Sequence, residues 1–127
     1  MALRVLIVDD DALARTVLAR VLEGIGHEVA LHDSAFGTTA LIQSGKPDVV
    51  VIDVNLPGLS GAQLVEFANR RTPGSPEAEA APLFILYSGM EAAELRALGV
   101  KSGAAGVLPK ALGRRALASE FERIVSG

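Results

Sequence analysis

Val49-Val50-Val51-Ile52-Asp53, running into Val54-Asn55-Leu56-Pro57-Gly58-Leu59-Ser60-Gly61, decides the fold of this 127-residue chain. Four successive β-branched apolar residues show no polar alternation, so they predict a strand that is central and covered on both faces. The strand stops on a carboxylate and enters a turn-rich loop, and a third helix follows to about Arg71. The same order recurs on either side. Leu3 to Val8 is an apolar run broken only by Arg4, and it ends in Asp9-Asp10-Asp11. Asp11 is suited to cap a helix. That helix carries Leu13, Val17, Val21 and Leu18, Leu22, Ile25 in two i,i+4 rows that predict one broad apolar face. Gly24 and Gly26 stop it. Glu28 to His32 reads as a second strand, less apolar and so at an edge. Ser34 is expected to cap a second helix with Leu41 and Ile42 inward, ended by Gly45-Lys46-Pro47. Thr72 to Pro82 reads as a long surface connection. Leu83 to Tyr87 is a fourth strand, Glu91 to about Ser102 a fourth helix ended near Gly103, Ala105 to Leu108 a fifth strand, and Leu112 to Ser126 a last helix.

Five βα units in one chain predict an α/β fold of one domain, residues 1–127. Parallel strands need helical crossovers, which places helices on both faces of a doubly wound five-stranded parallel sheet. Half of the residues are hydrophobic and 21% are charged, which argues against disorder. Aromatic residues are only 4%, so the core must come from Ala, Val, Leu and Ile. The absence of cysteine removes disulfides, zinc–thiolate sites and thiol chemistry. The longest strongly apolar run, Leu83 to Tyr87, is far short of the roughly 20 residues of a membrane span. The N-terminus meets aspartates too soon for a signal peptide. A cytoplasmic protein without membrane partners is expected. A net charge of −3 does not suit a direct nucleic-acid-binding module. The adjacent basic pairs Arg70-Arg71 and Arg114-Arg115 read as solvated helix faces.

The strand ends carry the chemistry. In an open α/β sheet, ligands bind at the carboxyl ends of the strands, near the point where strand order reverses. The first strand ends in Asp9-Asp10-Asp11, the third in Asp53, the fourth in Ser88 and the fifth in Lys110. With strand order 2-1-3-4-5, Asp9, Asp10 and Asp53 come within side-chain reach of one another. Crowded carboxylates repel and raise each other's pKa unless a hard cation sits among them. Oxygen ligands at an open site suit Mg²⁺. A carboxylate nucleophile beside Mg²⁺, an amine and a hydroxyl describes a phosphoryl-transfer site. Each element alone has a plainer reading, as a helix cap or a turn residue; the constellation is what points to chemistry.

Four motifs together resemble the receiver domain of a two-component response regulator, of the chemotaxis-regulator type with a flavodoxin-like fold. They are Val8-Asp9-Asp10, Ile52 to Gly61, Leu86-Tyr87-Ser88-Gly89 and Gly103 to Lys110. The resemblance covers essentially the whole chain. It implies that Asp53 accepts a phosphoryl group from a phosphohistidine on a histidine kinase or histidine phosphotransfer protein. It implies that Asp10, Asp53 and the backbone carbonyl of Asn55 hold Mg²⁺, with Asp9 acting through a metal-bound water. Lys110 would pair with phosphoryl oxygens, Ser88 would reorient to bond them, and Gly89 would leave access. Phosphorylation would then switch the surface of the fourth helix, fifth strand and fifth helix toward a downstream protein.

Three positions are notable beside that pattern. Val107 stands where the family usually has an aromatic switch residue. Tyr87 does not replace that residue, because neighbouring strand residues point to opposite faces. Ala111 follows the lysine where the family has a proline in a cis peptide; a cis bond before a non-proline residue costs about 2.5–4 kcal/mol, so a trans bond, with Lys110 seated differently, is open to this loop, and the sequence does not choose between the isomers. Met90 lies two beyond Ser88, where it should affect water access. His27 and His32 read as surface residues, with His27 exposed. Two other functions compete. A Mg²⁺-dependent aspartyl-phosphate phosphatase of the haloacid-dehalogenase type would need an acid/base Asp where Asn55 stands. A phosphorylation-independent pseudo-receiver is suggested by Val107 and Ala111, and opposed by the intact Asp9, Asp10, Asp53 and Lys110. The phosphate-binding glycine motifs of nucleotide sites are missing from the sequence.

Overall fold

In a computed structural model, residues 2–58, 60–69 and 81–127 are described. The expectations for Arg70-Arg71 and for most of the Thr72–Pro82 connection lie outside them. Apolar runs and helical repeats alternate as β1 (Arg4–Val8), α1 (Ala12–Gly24), β2 (Glu28–His32), α2 (Thr38–Gly45), β3 (Val49–Asp53), α3 (Gly61–Asn69), β4 (Leu83–Ser88), α4 (Ala92–Ser102), β5 (Gly106–Pro109) and α5 (Arg114–Ser126). The five strands form one parallel sheet of order β2-β1-β3-β4-β5. This is the doubly wound α/β arrangement expected from the sequence, with the strand order reversing between β1 and β3.

Period-two alternation divides the strand side chains between two cores. Val5, Ile7, Val49, Val51, Ile85 and Tyr87 face one way and are buried with Leu18 and Leu22 of α1 and Leu117 and Phe121 of α5. Leu6, Val8, Val50, Ile52, Phe84 and Leu86 face the other way, against Leu64 and Val65 of α3 and Leu95 of α4. All five residues of β3 are buried. Each large aliphatic side chain taken fully out of water contributes roughly 1.5–3 kcal/mol, so this two-sided sheet carries most of the driving force.

The ends of the elements follow local chemistry. Asp11 caps α1, its side chain accepting from the Leu13 and Ala14 N–H groups. Glu91 does the same for α4, and Gly103 closes that helix in the left-handed conformation glycine tolerates. Four expectations need correction. Ser34 does not cap α2. Its hydroxyl accepts from Phe36 N–H in a local turn, its carbonyl accepts from the Thr38 hydroxyl, and Gly37 takes the cap position. Leu41 is exposed, so in this short helix Ile42 is the one packed inward. Leu13 of α1 stands well round the helix from the buried Leu18 and Leu22 and is 74% exposed, and Ile25 follows the last residue of that helix and is exposed as well.

The fourth correction is His27. It is not exposed: only 7% of its surface reaches solvent. Its Nδ1 accepts the Leu3 N–H at 3.0 Å and its Nε2 is 2.7 Å from Glu122 of α5. Since Nδ1 is an acceptor, Nε2 carries the proton and donates to Glu122. The ring also meets Phe121 edge-on, centroids 5.3 Å apart. A ring with both nitrogens satisfied can be buried at little cost. His32 is half-buried at the end of β2, where its Nε2 lies 2.6 Å from the Phe36 carbonyl.

Candidate functional site: an acidic cluster and a lysine at the sheet edge

Strand order brings the carboxyl ends of β1, β3 and β5 to one edge. β1 delivers Asp9 directly past its last residue. The Asp9 N–H donates to the His32 carbonyl, and its Oδ1 accepts from Asp11 N–H at 2.9 Å, so the acid is tied to the β1–α1 turn. Asp10, next along, is exposed. Asp53 ends β3, is 5% exposed, and its Oδ1 accepts from Asn55 N–H at 3.2 Å. One carboxylate oxygen from each of Asp9, Asp10 and Asp53 lies within 4.8 Å of the others. β5 delivers the counter-charge. Lys110 Nζ is 2.8 Å from Asp9 Oδ2 and 3.6 Å from Asp53 Oδ2. Its backbone N–H donates to the Ser88 carbonyl at 2.8 Å, which holds the β5–α5 turn against β4. The peptide bond after Lys110 is trans.

The electrostatics are those of an under-neutralised acidic pocket. Burial pushes the Asp53 carboxyl up to about 6, and the Asp9 carboxylate adds to this; the Asn55 N–H and the Lys110 ammonium pull the other way. Burial works against the Lys110 charge, but the bond to Asp9 and the charges of Asp9, Asp53 and Asp11 outweigh it and raise the pKa. Asp9 Oδ2 is fully buried and accepts no well-angled hydrogen bond; the ammonium at 2.8 Å is its ion-pair partner. Among the described residues, three crowded carboxylates, one with unused lone pairs, outnumber the cations beside them, the Lys110 ammonium and the Arg15 guanidinium, and leave negative charge for a hard cation to balance. The all-oxygen donor set and the exposed Asp10 fit Mg²⁺.

The structure brings Asp9, Asp10, Asp53 and Lys110 together. Ser88 is buried at the end of β4, and its hydroxyl accepts from Met90 N–H at 3.1 Å. Asn55 is exposed just past Asp53, and Gly89 borders open space. Val107 packs on the opposite side of the sheet from Tyr87, with the α3–α4 core, so those two positions are not interchangeable. Two contributors go unrecognised in the sequence. Arg15 Nη1 donates to the Asp9 carbonyl at 2.6 Å, bracing the acidic turn from α1. The Tyr87 ring lies 5.2 Å from Lys110 Nζ, and its hydroxyl donates to the Ala14 carbonyl. Placement of Arg15 one turn beyond Asp11 is the only sequence signal for the first. The second needs the strand register.

Comparison with known proteins agrees with this geometry. The sequence matches the family described as response regulator receiver domain over residues 5–122. It is 31% identical over 124 residues to Protein PilH of Pseudomonas aeruginosa, covering 98% of each chain. It is 35% identical over 111 residues to the sensor histidine kinase AruS of the same organism, where the match covers 87% of this chain and 11% of that protein. The fold superimposes on a putative response regulator from Chloroflexus aurantiacus with a TM-score of 0.86, 25% identity and full coverage of both chains. Sheet order, the acids at the ends of β1 and β3, the lysine after β5 and these matches converge on one assignment: the chain belongs to the receiver domain family of two-component response regulators.

Proposed function

We propose that this receiver carries its phosphoryl group on Asp53. The carrying observation is that, of the two buried carboxylates that share the acidic cluster and the lysine, Asp53 is the one that keeps some exposed surface, 5% against 0% for Asp9, whose Oδ2 already pairs with Lys110 at 2.8 Å. A carboxylate oxygen of Asp53 attacks the phosphorus of a phosphohistidine on a histidine kinase or phosphotransfer protein. The O–P bond of an acyl phosphate forms, the P–N bond breaks, and the imidazole leaves with the electron pair. Asp10, Asp53 and the Asn55 carbonyl would hold Mg²⁺, with Asp9 acting through water. Bound there, Mg²⁺ supplies positive charge against the phosphoryl oxygens. Lys110, already between Asp9 and Asp53, pairs with those oxygens. Ser88 gives up its Met90 bond to reach them, and Gly89 keeps the approach open.

The signalling role is that of a phosphoacceptor in the cytoplasm rather than of an enzyme acting on outside substrates. Its product is read by a downstream protein at the α4–β5–α5 face. A cleft of ≈ 210 Å³ there, lined by Arg96, Val100, Val107, Glu120 and Arg123, supports that reading. The test is incubation with Mg²⁺ and acetyl phosphate, followed by intact-mass measurement. Addition of one phosphoryl mass is expected, absent in Asp53→Asn and without added Mg²⁺. Unlabelled wild-type protein across several donors overturns the assignment, and rapid turnover of an external phosphoester points to a phosphatase instead.

A further inference from the structure

The pair Arg114-Arg115 is not used by the acidic site. Both side chains stand in the first turn of α5, and with Arg20 of α1 they border a cleft of ≈ 380 Å³ between these two helices. All three arginines are exposed, and among the described residues none forms an ion pair. Elsewhere on α5, by contrast, Arg123 is held by Glu120 of its own helix. Neither Arg114 nor Arg115 has an acid three or four residues on, since those positions are Leu117, Ala118 and Ser119. Positive charge in the first turn of a helix is also unfavourable to the helix itself. These two side chains therefore do not serve helix stability.

The floor between the arginines is apolar. Val21 and Ala118 are half-buried and Ile25 is 40% exposed, and the cleft lining contains no acidic residue. A chain of net charge −3 thus gathers three unneutralised cations around one apolar slot. It lies on the side of α5 away from the α4–β5–α5 cleft, which Glu120 and Arg123 line.

We propose that the α1–α5 cleft docks an acidic peptide segment of a partner protein, with an apolar side chain seated on Val21, Ile25 and Ala118 and its carboxylates met by Arg20, Arg114 and Arg115. Charge complementarity names the occupant. The carboxylates answer three forked guanidinium donors that have no ion-pair partner among the described residues. The apolar floor favours a peptide over a nucleic acid, whose phosphate backbone would want an extended basic stripe. This surface is independent of the Asp53 chemistry.

The probe is a fluorescein-labelled synthetic helix with glutamates on one face and leucines on the other, titrated with the full chain. Saturable binding that weakens with added salt is expected, with amide shifts in NMR spectra confined to Val21, Ile25, Ala118 and their neighbours. The variant Arg20→Gln/Arg114→Gln/Arg115→Gln should bind roughly tenfold more weakly or worse, and Ile25→Ser should also bind more weakly. Both substitute exposed positions, and unchanged melting temperatures verify their folds. Asp53→Asn should bind like the wild type. Equal binding by the triple variant, shifts mapping elsewhere, or equal binding of a probe with serine in place of leucine overturns the proposal. Tighter binding of a single-stranded oligonucleotide than of the peptide does so as well, in favour of a nucleic-acid surface.

Discussion

Asp53 holds its proton more tightly in the folded chain than in the unfolded one, and the sign of that difference has a measurable outcome. Burial first, and then Asp9, lift it from the ordinary 3.8 to about 6. Between those values the native state binds more protons than the unfolded state, so the Asp53 contribution to stability falls as pH rises through that window. At pH 7 the ionised carboxylate is a destabilising group. Asp53→Asn should therefore raise the unfolding free energy at pH 7 by up to about 3 kcal/mol. The gain should vanish toward pH 4. Urea unfolding at the two pH values checks this, and a variant weaker than wild type at pH 7 contradicts it. Lys110 has the opposite role. Its removal in Lys110→Met leaves the Asp9 carboxylate buried without a counter-ion, and a loss of about 3 kcal/mol at pH 7 is expected. The same Lys110→Met change in an Asp9→Asn background should cost far less.

At the scale of elements, α1 depends on one side chain at its start. Asp11→Ala removes the acceptor for Leu13 and Ala14 N–H and should cost about 1 kcal/mol in a thermal or urea melt. The contact of α4 with β5 depends on the lack of a side chain. A Cβ at Gly99 would lie 2.6 Å from Val107 Cγ1. Gly99→Ala normally gains about 1 kcal/mol in a helix; here the clash should cancel or reverse that gain. Val107→Ala in the same chain should restore it, and the double-mutant cycle reads the coupling directly. The elements themselves were legible because each apolar run has the length and period of its type. β3 shows this best, with no polar residue before Asp53 and complete burial. The start of α2 was not, because Ser34 has a nearer backbone partner in its own turn than the helix it precedes. His27 was misread for a different reason: the carboxylate that makes its burial affordable is 95 residues away, on α5.

For the whole molecule, convergence of Asp9, Asp10, Asp53 and Lys110 was readable because topology alone assigns strand ends to one edge. What topology does not supply is how side chains brace that edge, and Arg15 and Tyr87 came only from the register and from α1. Crowding at the edge predicts a linkage. Millimolar Mg²⁺ should raise the melting temperature, with about 1.4 kcal/mol of stabilisation at ten times the dissociation constant. Asp10→Asn should remove most of the rise, and an unchanged melting temperature in wild-type protein would count against an assembled cation site. Tyr87 has one more use. The chain has one tyrosine and no tryptophan, and that ring sits beside the Lys110 ammonium while its hydroxyl is tied to α1. The protein thus carries a single phenol chromophore at the place where β4, α1 and the lysine meet, and its absorption at wavelengths beyond those of the four phenylalanines reports on that junction without any attached dye.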